Sequence, residues 1–201
     1  MVRISCNDCE GCFKCCCDMG SSIILDPYDI YSLTTNLSRD FQSFINQGIE
    51  LNIVDGLTLP NIIMNNSRKS CSFLNDTGRC SIHQFRPGIC RLFPLARIYE
   101  NDSFYYIHQI YECDHPSKSK IKIKKWLDIP ELNEYEKFVN TWHYFLKDME
   151  EFVSSCQDDN LIRTLNLLIL NTFYITPYTK DSFYNEFYSR LRETKAKLGI
   201  T

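Results

Sequence analysis

Six of the chain's eleven cysteines fall within its first seventeen residues, in the run Cys6-Asn-Asp-Cys9-Glu-Gly-Cys12-Phe-Lys-Cys15-Cys16-Cys17. Sulfurs two residues apart let one turn of backbone aim several thiolates at a single point, as zinc and iron–sulfur sites require. This loop alone can supply three or four ligands. Four more sulfurs follow far along the chain, in Cys71-Ser-Phe-Leu, Gly78-Arg-Cys80-Ser-Ile-His83, Arg86-Pro-Gly-Ile-Cys90-Arg-Leu-Phe-Pro94 and at Cys113. Adjacent Cys15 and Cys16 would point apart in extended backbone and so could serve different metals. A shared centre needs sulfurs about 2.3 Å from its metal, so the two groups of cysteines are expected to lie close together in the fold.

A thiolate cluster also needs its charge offset. Four thiolates on one zinc ion leave a net charge of about −2, which is costly to bury unpaired. Arg79, Arg86 and Arg91 each lie within four residues of a cysteine and are the candidate donors around the sulfurs. His83 has ligand spacing from Cys80, and His115 follows Cys113 by two. Beside so many sulfurs, both read as supporting residues. His108 and His143 sit in strand and helix patterns and read as packing or surface residues, while Cys156, alone at a helix end, reads as a small buried hydrophobe.

Rival chemistries are weaker. Cys90 lies near Arg86 and Arg91, whose charge would lower a thiol pKa, and His83 is available as a base. Ligation is the simpler account of so many companion thiols. Cys6, Cys9, Cys12 and Cys15 partly echo a ferredoxin run, but that run has its fourth cysteine three residues on and followed by proline. An electron carrier is therefore the third choice. G-x-G-x-x-G, the Cys-x-x-x-Cys-x-x-Cys of radical S-adenosylmethionine enzymes, Gly-x-Ser-x-Gly and His-Glu-x-x-His are all missing from the sequence.

Taken jointly, Cys9-x-x-Cys12-x-x-Cys15-Cys16, Cys71-x-Phe-Leu, Cys80-x-Ile-His83 and Arg86-Pro-x-x-Cys90-Arg-x-x-Pro94 resemble the YkgJ-type cysteine-cluster proteins, over about residues 6–115. The resemblance implies a domain that chelates zinc or iron through Cys9, Cys12, Cys15, Cys16, Cys71, Cys80, Cys90 and Cys113. It also implies kinship with flagellin lysine N-methylases, which carry the same cluster. Under that alternative the chain transfers a methyl group from S-adenosylmethionine to a protein lysine, with flagellin as partner. Cys6 and Cys17 extend the first motif on both sides and leave the choice of ligands within the loop open. The eight cysteines fit two four-thiolate zinc sites or one or two iron–sulfur clusters. The sulfur density exceeds what one structural site needs and favours iron–sulfur.

The elements that must position these residues are legible at low resolution. A chain of 201 residues is one domain, or one domain with an appended helical part. The N-terminus lacks an apolar signal segment, and the most apolar run, 165–175, is far short of the roughly 20 residues that span a bilayer. A cytoplasmic protein with reduced thiols and no membrane partner is expected. The net charge of −3 argues against a nucleic-acid partner. Lys118, Lys120, Lys122 and Lys124 alternate with Ile121 and Ile123 and read as a strand with one wet face.

Asp26-Pro27 with Asp29 predicts a helix running to about Asn36, and Ser38 a cap for a second helix carrying Phe41, Phe44 and Ile45. Asp55-Gly56 predicts a hairpin within 49–64, and Glu100–Ser103 the turn of another within 94–113. Beyond Pro130, apolar residues at helical spacing (Phe138, Trp142, Phe145, Met149, Phe152; Leu161, Leu165, Leu168; Phe183, Phe187, Leu191) predict three helices with a packed aromatic core. The expected class is α+β. A small cysteine-rich metal-binding domain of short helices and hairpins occupies residues 1–125, and a C-terminal helical region, 126–201, packs on it.

Overall fold

The computed structural model describes residues 1–5, 12–65, 69–113, 119–179 and 182–200. Cys6, Cys9 and His115 lie outside the described residues. The first helix, α1 (Pro27–Leu37), starts as its sequence dictates: Asp26 accepts from the Asp29 amide, Asp29 accepts from the Asp26 amide, and Pro27 opens the first turn. Ser38 does not cap the next helix. It ends α1 in a left-handed conformation, and Asp40 instead caps the one-turn α2 (Phe41–Phe44) by accepting from the Ser43 amide.

Both hairpins form. Strands β2 (Ile49–Val54) and β3 (Leu57–Ile62) pair around Asp55-Gly56, whose φ values of 50° and 83° suit a tight two-residue turn. The short strands β4 (Met64–Asn65) and β5 (Ser70–Cys71) pair next. Helix α3 (Gly88–Leu92) leads through a cis Phe93-Pro94 peptide into β6 (Leu95–Glu100) and β7 (Ser103–His108). The lysine run does not stay a strand: β8 (Ser119–Ile121) pairs antiparallel with β1 (Val2–Ser5), and helix α4 (Ile123–Leu127) then begins. Burying Leu127 and turning the Trp126 indole N–H onto the Phe93 carbonyl wins over the alternation of lysines.

Helices α5 (Leu132–Ser155), α6 (Asp159–Leu170) and α7 (Phe183–Leu198) close the chain, with a π turn at Asn171–Ile175 after α6. The architecture is α+β. Phe138, Trp142, Phe145 and Met149 of α5 are buried, whereas Phe152 and Leu161 at the helix ends are exposed. The apolar core is one cluster that runs from Ile4 through Leu25, Leu33, Ile49 and Leu57 to Phe187 and Leu191. The long helices grip the N-terminal half at defined points. Asn166 of α6 accepts from the Thr58 amide at 2.5 Å and donates to the Gly56 carbonyl at 3.2 Å. A Cβ on Gly56 would stand 2.6 Å from Val153 of α5. No helix among the described residues is long and apolar enough to cross a membrane.

Candidate metal centre

The cysteine segments are short, and each is fixed by a neighbour distant in sequence. Lys14–Cys16 form a single 3₁₀ turn, closed by Cys16 N–H to Phe13 and Cys17 N–H to Lys14. Cys17 then bridges Ser70, and the Asp18 amide donates to the Lys69 carbonyl at 2.7 Å, so the first loop is sewn onto β5 and its Cys71. Phe13 also packs on Gly78, where a Cβ would lie 2.9 Å from the ring and φ is +72°. Leu74 bridges Cys80, and the Asn75 side chain accepts from the Thr77 and Arg79 amides. That Asx turn reverses the chain between Cys71 and Cys80.

Cys90 is placed by helix α1. Asp29 Oδ1 accepts from the Gly88 amide at 2.7 Å, and a Cβ on Gly88 would come within 1.8 Å of the Tyr135 hydroxyl of α5. Only glycine lets the Arg86–Cys90 segment lie this close to α5. Reading the sequence found Asp29 only as a first-turn acid; no local signal pointed to its contact 59 residues away.

Cys12, Cys15, Cys16, Cys71, Cys80 and Cys90 all line one cavity of about 650 Å³, together with Arg79, His83 and Arg86. Each of these thiols is half-buried, and among the described residues no cysteine is in a disulfide. Cys17 and Cys113 do not line the cavity. Cys156 ends α5 instead, its thiol donating to the Asp158 carbonyl at 3.8 Å.

Cys15, Cys71, Cys80 and Cys90 sit in environments that disfavour free thiolate. Burial pushes Cys71 up to about 11, against an amide hydrogen bond from Phe73 to its sulfur at 3.4 Å. Cys80 is raised by burial and partly restored by Arg86 and Arg79. Cys15 is raised first by its contact with Cys16 and then by burial. Cys90 is raised by burial and next by the charge of Asp29, which removes the basis for reading it as an activated nucleophile. Arg91 is not beside the sulfurs: its guanidinium donates to the main-chain oxygens of Gln84, Arg86 and Asp128. Arg86 lies in the cavity and donates to Nε2 of His83, which gives His83 a supporting contact there.

Half-buried thiols facing one space are a donor set suited to a thiophilic metal, whose binding displaces thiol protons. Among the described residues, no three Cys, His, Asp or Glu side chains already stand as a closed set of ligands. The donors share a wall, and the first loop's Cys9 lies outside the described residues.

A family model, CxxCxxCC, described as "Putative zinc- or iron-chelating domain", matches residues 8–137. No curated protein and no solved structure matches the chain.

Proposed function

The chain belongs to the CxxCxxCC family, and from that premise we propose that it binds metal through its clustered cysteines, holding iron as an iron–sulfur cluster. The observation that carries the reading is the single cavity lined by six thiols from two stretches of sequence more than fifty residues apart. Cys12, Cys15, Cys16, Cys71, Cys80 and Cys90 would hold the group, with Cys9 and Cys113 completing the eight. Thiols beyond the four that one zinc ion needs favour iron–sulfur over zinc. A bound cluster supplies one-electron chemistry. The chain's own part is to strip water from the sulfurs and to place the Arg79 and Arg86 charges beside them. The reading takes residues 1–125 as the chelating unit, working in the reducing cytoplasm.

Anaerobic purification followed by elemental analysis and an absorption spectrum tests this. Iron with acid-labile sulfide and absorption near roughly 400 nm is the expected result. A colourless zinc protein would overturn the iron–sulfur assignment and keep chelation; a protein with neither metal would overturn both. Cys80→Ser and Cys90→Ser should lower metal content, whereas Cys156→Ser should leave it unchanged. Equal loss from all three would refute the ligand set.

A further inference from the structure

The cavity does not end at the sulfurs. Its lining also includes Leu92 and Leu95, Val139, Trp142 and Leu146 of α5, the ionisable side chains of Tyr99 and His143, and three acid or guanidinium groups, Asp26, Asp29 and Arg97. Its volume of about 650 Å³ falls within the range of small-molecule sites, and its walls combine apolar bodies with few polar groups, as such sites do. The metal reading uses none of these residues.

The charges in this chamber are incompletely paired. Arg97 lies against the rings of Phe104, Tyr106 and Tyr135, at 5.5, 6.0 and 5.5 Å from their centres. Its Nη2 donates to the Tyr135 hydroxyl at a long 3.5 Å, its Nε is buried without a hydrogen-bond partner, and among the described residues it makes no ion pair within 4 Å. Its charge nevertheless bears on both Asp26 and Asp29, lowering carboxyls that burial raises. Both aspartates accept main-chain amides, and a carboxylate oxygen that takes one donor keeps a second lone-pair direction. Buried Asp29, half-buried Asp26 and half-buried Arg97 share a cavity without forming an ion pair, which leaves a desolvation cost that a ligand can offset.

We propose that this chamber binds a free α-amino acid with an apolar side chain. The carboxylate meets Arg97, the ammonium faces Asp26 and Asp29, and the side chain lies against Leu92, Val139, Trp142 and Leu146. A simple carboxylate would satisfy Arg97 but add negative charge beside the Asp26–Asp29 pair. A simple amine would leave Arg97 without an anion. Only a zwitterion complements both ends, and the apolar wall selects its side chain.

The chain's two tryptophans, Trp126 and Trp142, both line the cavity, so their fluorescence reports its occupancy. The full chain, with metal as purified, is titrated with L-leucine and L-phenylalanine, then with 4-methylpentanoate and 3-methylbutylamine, which keep one ionic end of leucine each. A saturable response to an amino acid is expected, with each one-ended analogue weaker by about tenfold or more, the loss of one charge-assisted contact. No response to either amino acid, checked by calorimetry, overturns the proposal, as does equal binding of an analogue. Arg97→Gln should weaken amino-acid binding by a similar factor and leave 3-methylbutylamine unaffected. Because Arg97 packs among rings, Leu146→Phe provides a second variant that fills the chamber and keeps all three charges. It should abolish amino-acid binding at unchanged metal content; retained binding overturns the proposal. Metal content, read in parallel, separates failure here from failure of the chelation reading.

Discussion

The cysteine wall and the helices behind it are held together by opposite means. Helices α5–α7 bury aromatic rings against one another, with Phe138 4.7 Å from Phe187 and Trp142 5.0 Å from Phe173 between ring centres. Each such ring removes about 150–250 Å² from water, so this region carries its own driving force. The wall consists of a three-residue 3₁₀ turn, two-residue strands and the five-residue α3, none long enough to persist alone. Its thiols are only half-buried, and burial raises the pKa values of Cys71 and Cys80. The helical region thus draws cohesion from apolar burial, whereas the wall hangs on that frame and gains its last cohesion from whatever the sulfurs bind.

Stripping the metal should break that comparison most visibly. A structural zinc site supplies on the order of 10 kcal/mol, comparable with the whole stability of a domain. On the metal-loaded chain, a chelator is expected to speed amide exchange in residues 12–17, 70–74 and 80–92 while the centre of α5 stays protected. Hydrogen-exchange mass spectrometry measures both regions at once. Uniform loosening of wall and helices, or no loosening of either, would show that the two are not held differently.

The complementary lesion lies in the helices. Phe138 is fully buried among Tyr28, Tyr135, Phe183 and Phe187. Phe138→Ala should cost about 3–5 kcal/mol in urea unfolding, the range for a large ring removed from a core. Where the variant remains folded, its metal content should match the parent. A drop in metal at full helicity would mean that the wall senses the helix core more directly than these contacts provide.

Why the frame was readable and the wall only partly so follows from the range of the interactions. Asp26-Pro27 with Asp29, the Asp55-Gly56 turn and the periodicity of α5 are local signals, and each produced the element expected. Ser38 misled because a left-handed terminal residue and an N-cap draw on the same residue types two positions apart. The lysine alternation misled because β8 exists only by pairing with β1, Val2 opposite Ile121, and nothing local marks where that pairing stops. In the site, cysteine spacing announced thiolate chemistry. The joints that assemble the wall, Phe13 on Gly78 and Asp29 to Gly88, are tertiary contacts that no spacing encodes. Arg97 carried no sequence signal at all, since a lone arginine in a strand reads as surface.

Gly88 is the joint where frame meets wall. Gly88→Ala would drive a methyl into the Tyr135 hydroxyl and strain the Asp29 contact beside Cys90. Overpacking of this kind costs about 1–3 kcal/mol. Because the strain falls on α3, metal content should drop as well, and Tyr135→Phe in the same chain should restore part of both by removing the clashing oxygen. Loss of stability with full metal content would place Cys90 outside the ligand set.

The smallest effect tests whether the frame can be improved without touching the site. The β6–β7 turn places Asn101 and Asp102 at φ values of 51° and 56°, a conformation that Asn-Gly accommodates best. The turn is anchored on α5, with Asn140 donating to the Asp102 carbonyl at 2.7 Å and the Tyr144 hydroxyl to the Ser103 carbonyl at 3.3 Å. Both contacts use main-chain oxygens, so Asp102→Gly keeps them. The left-handed penalty of an L-residue is removed, and the greater freedom of unfolded glycine offsets part of the gain, leaving about 0.5 kcal/mol of stabilisation. Urea unfolding should show that rise, and elemental analysis should show unchanged metal. A change in metal content from this distant turn would join the two regions into one cooperative unit and end the distinction between frame and wall.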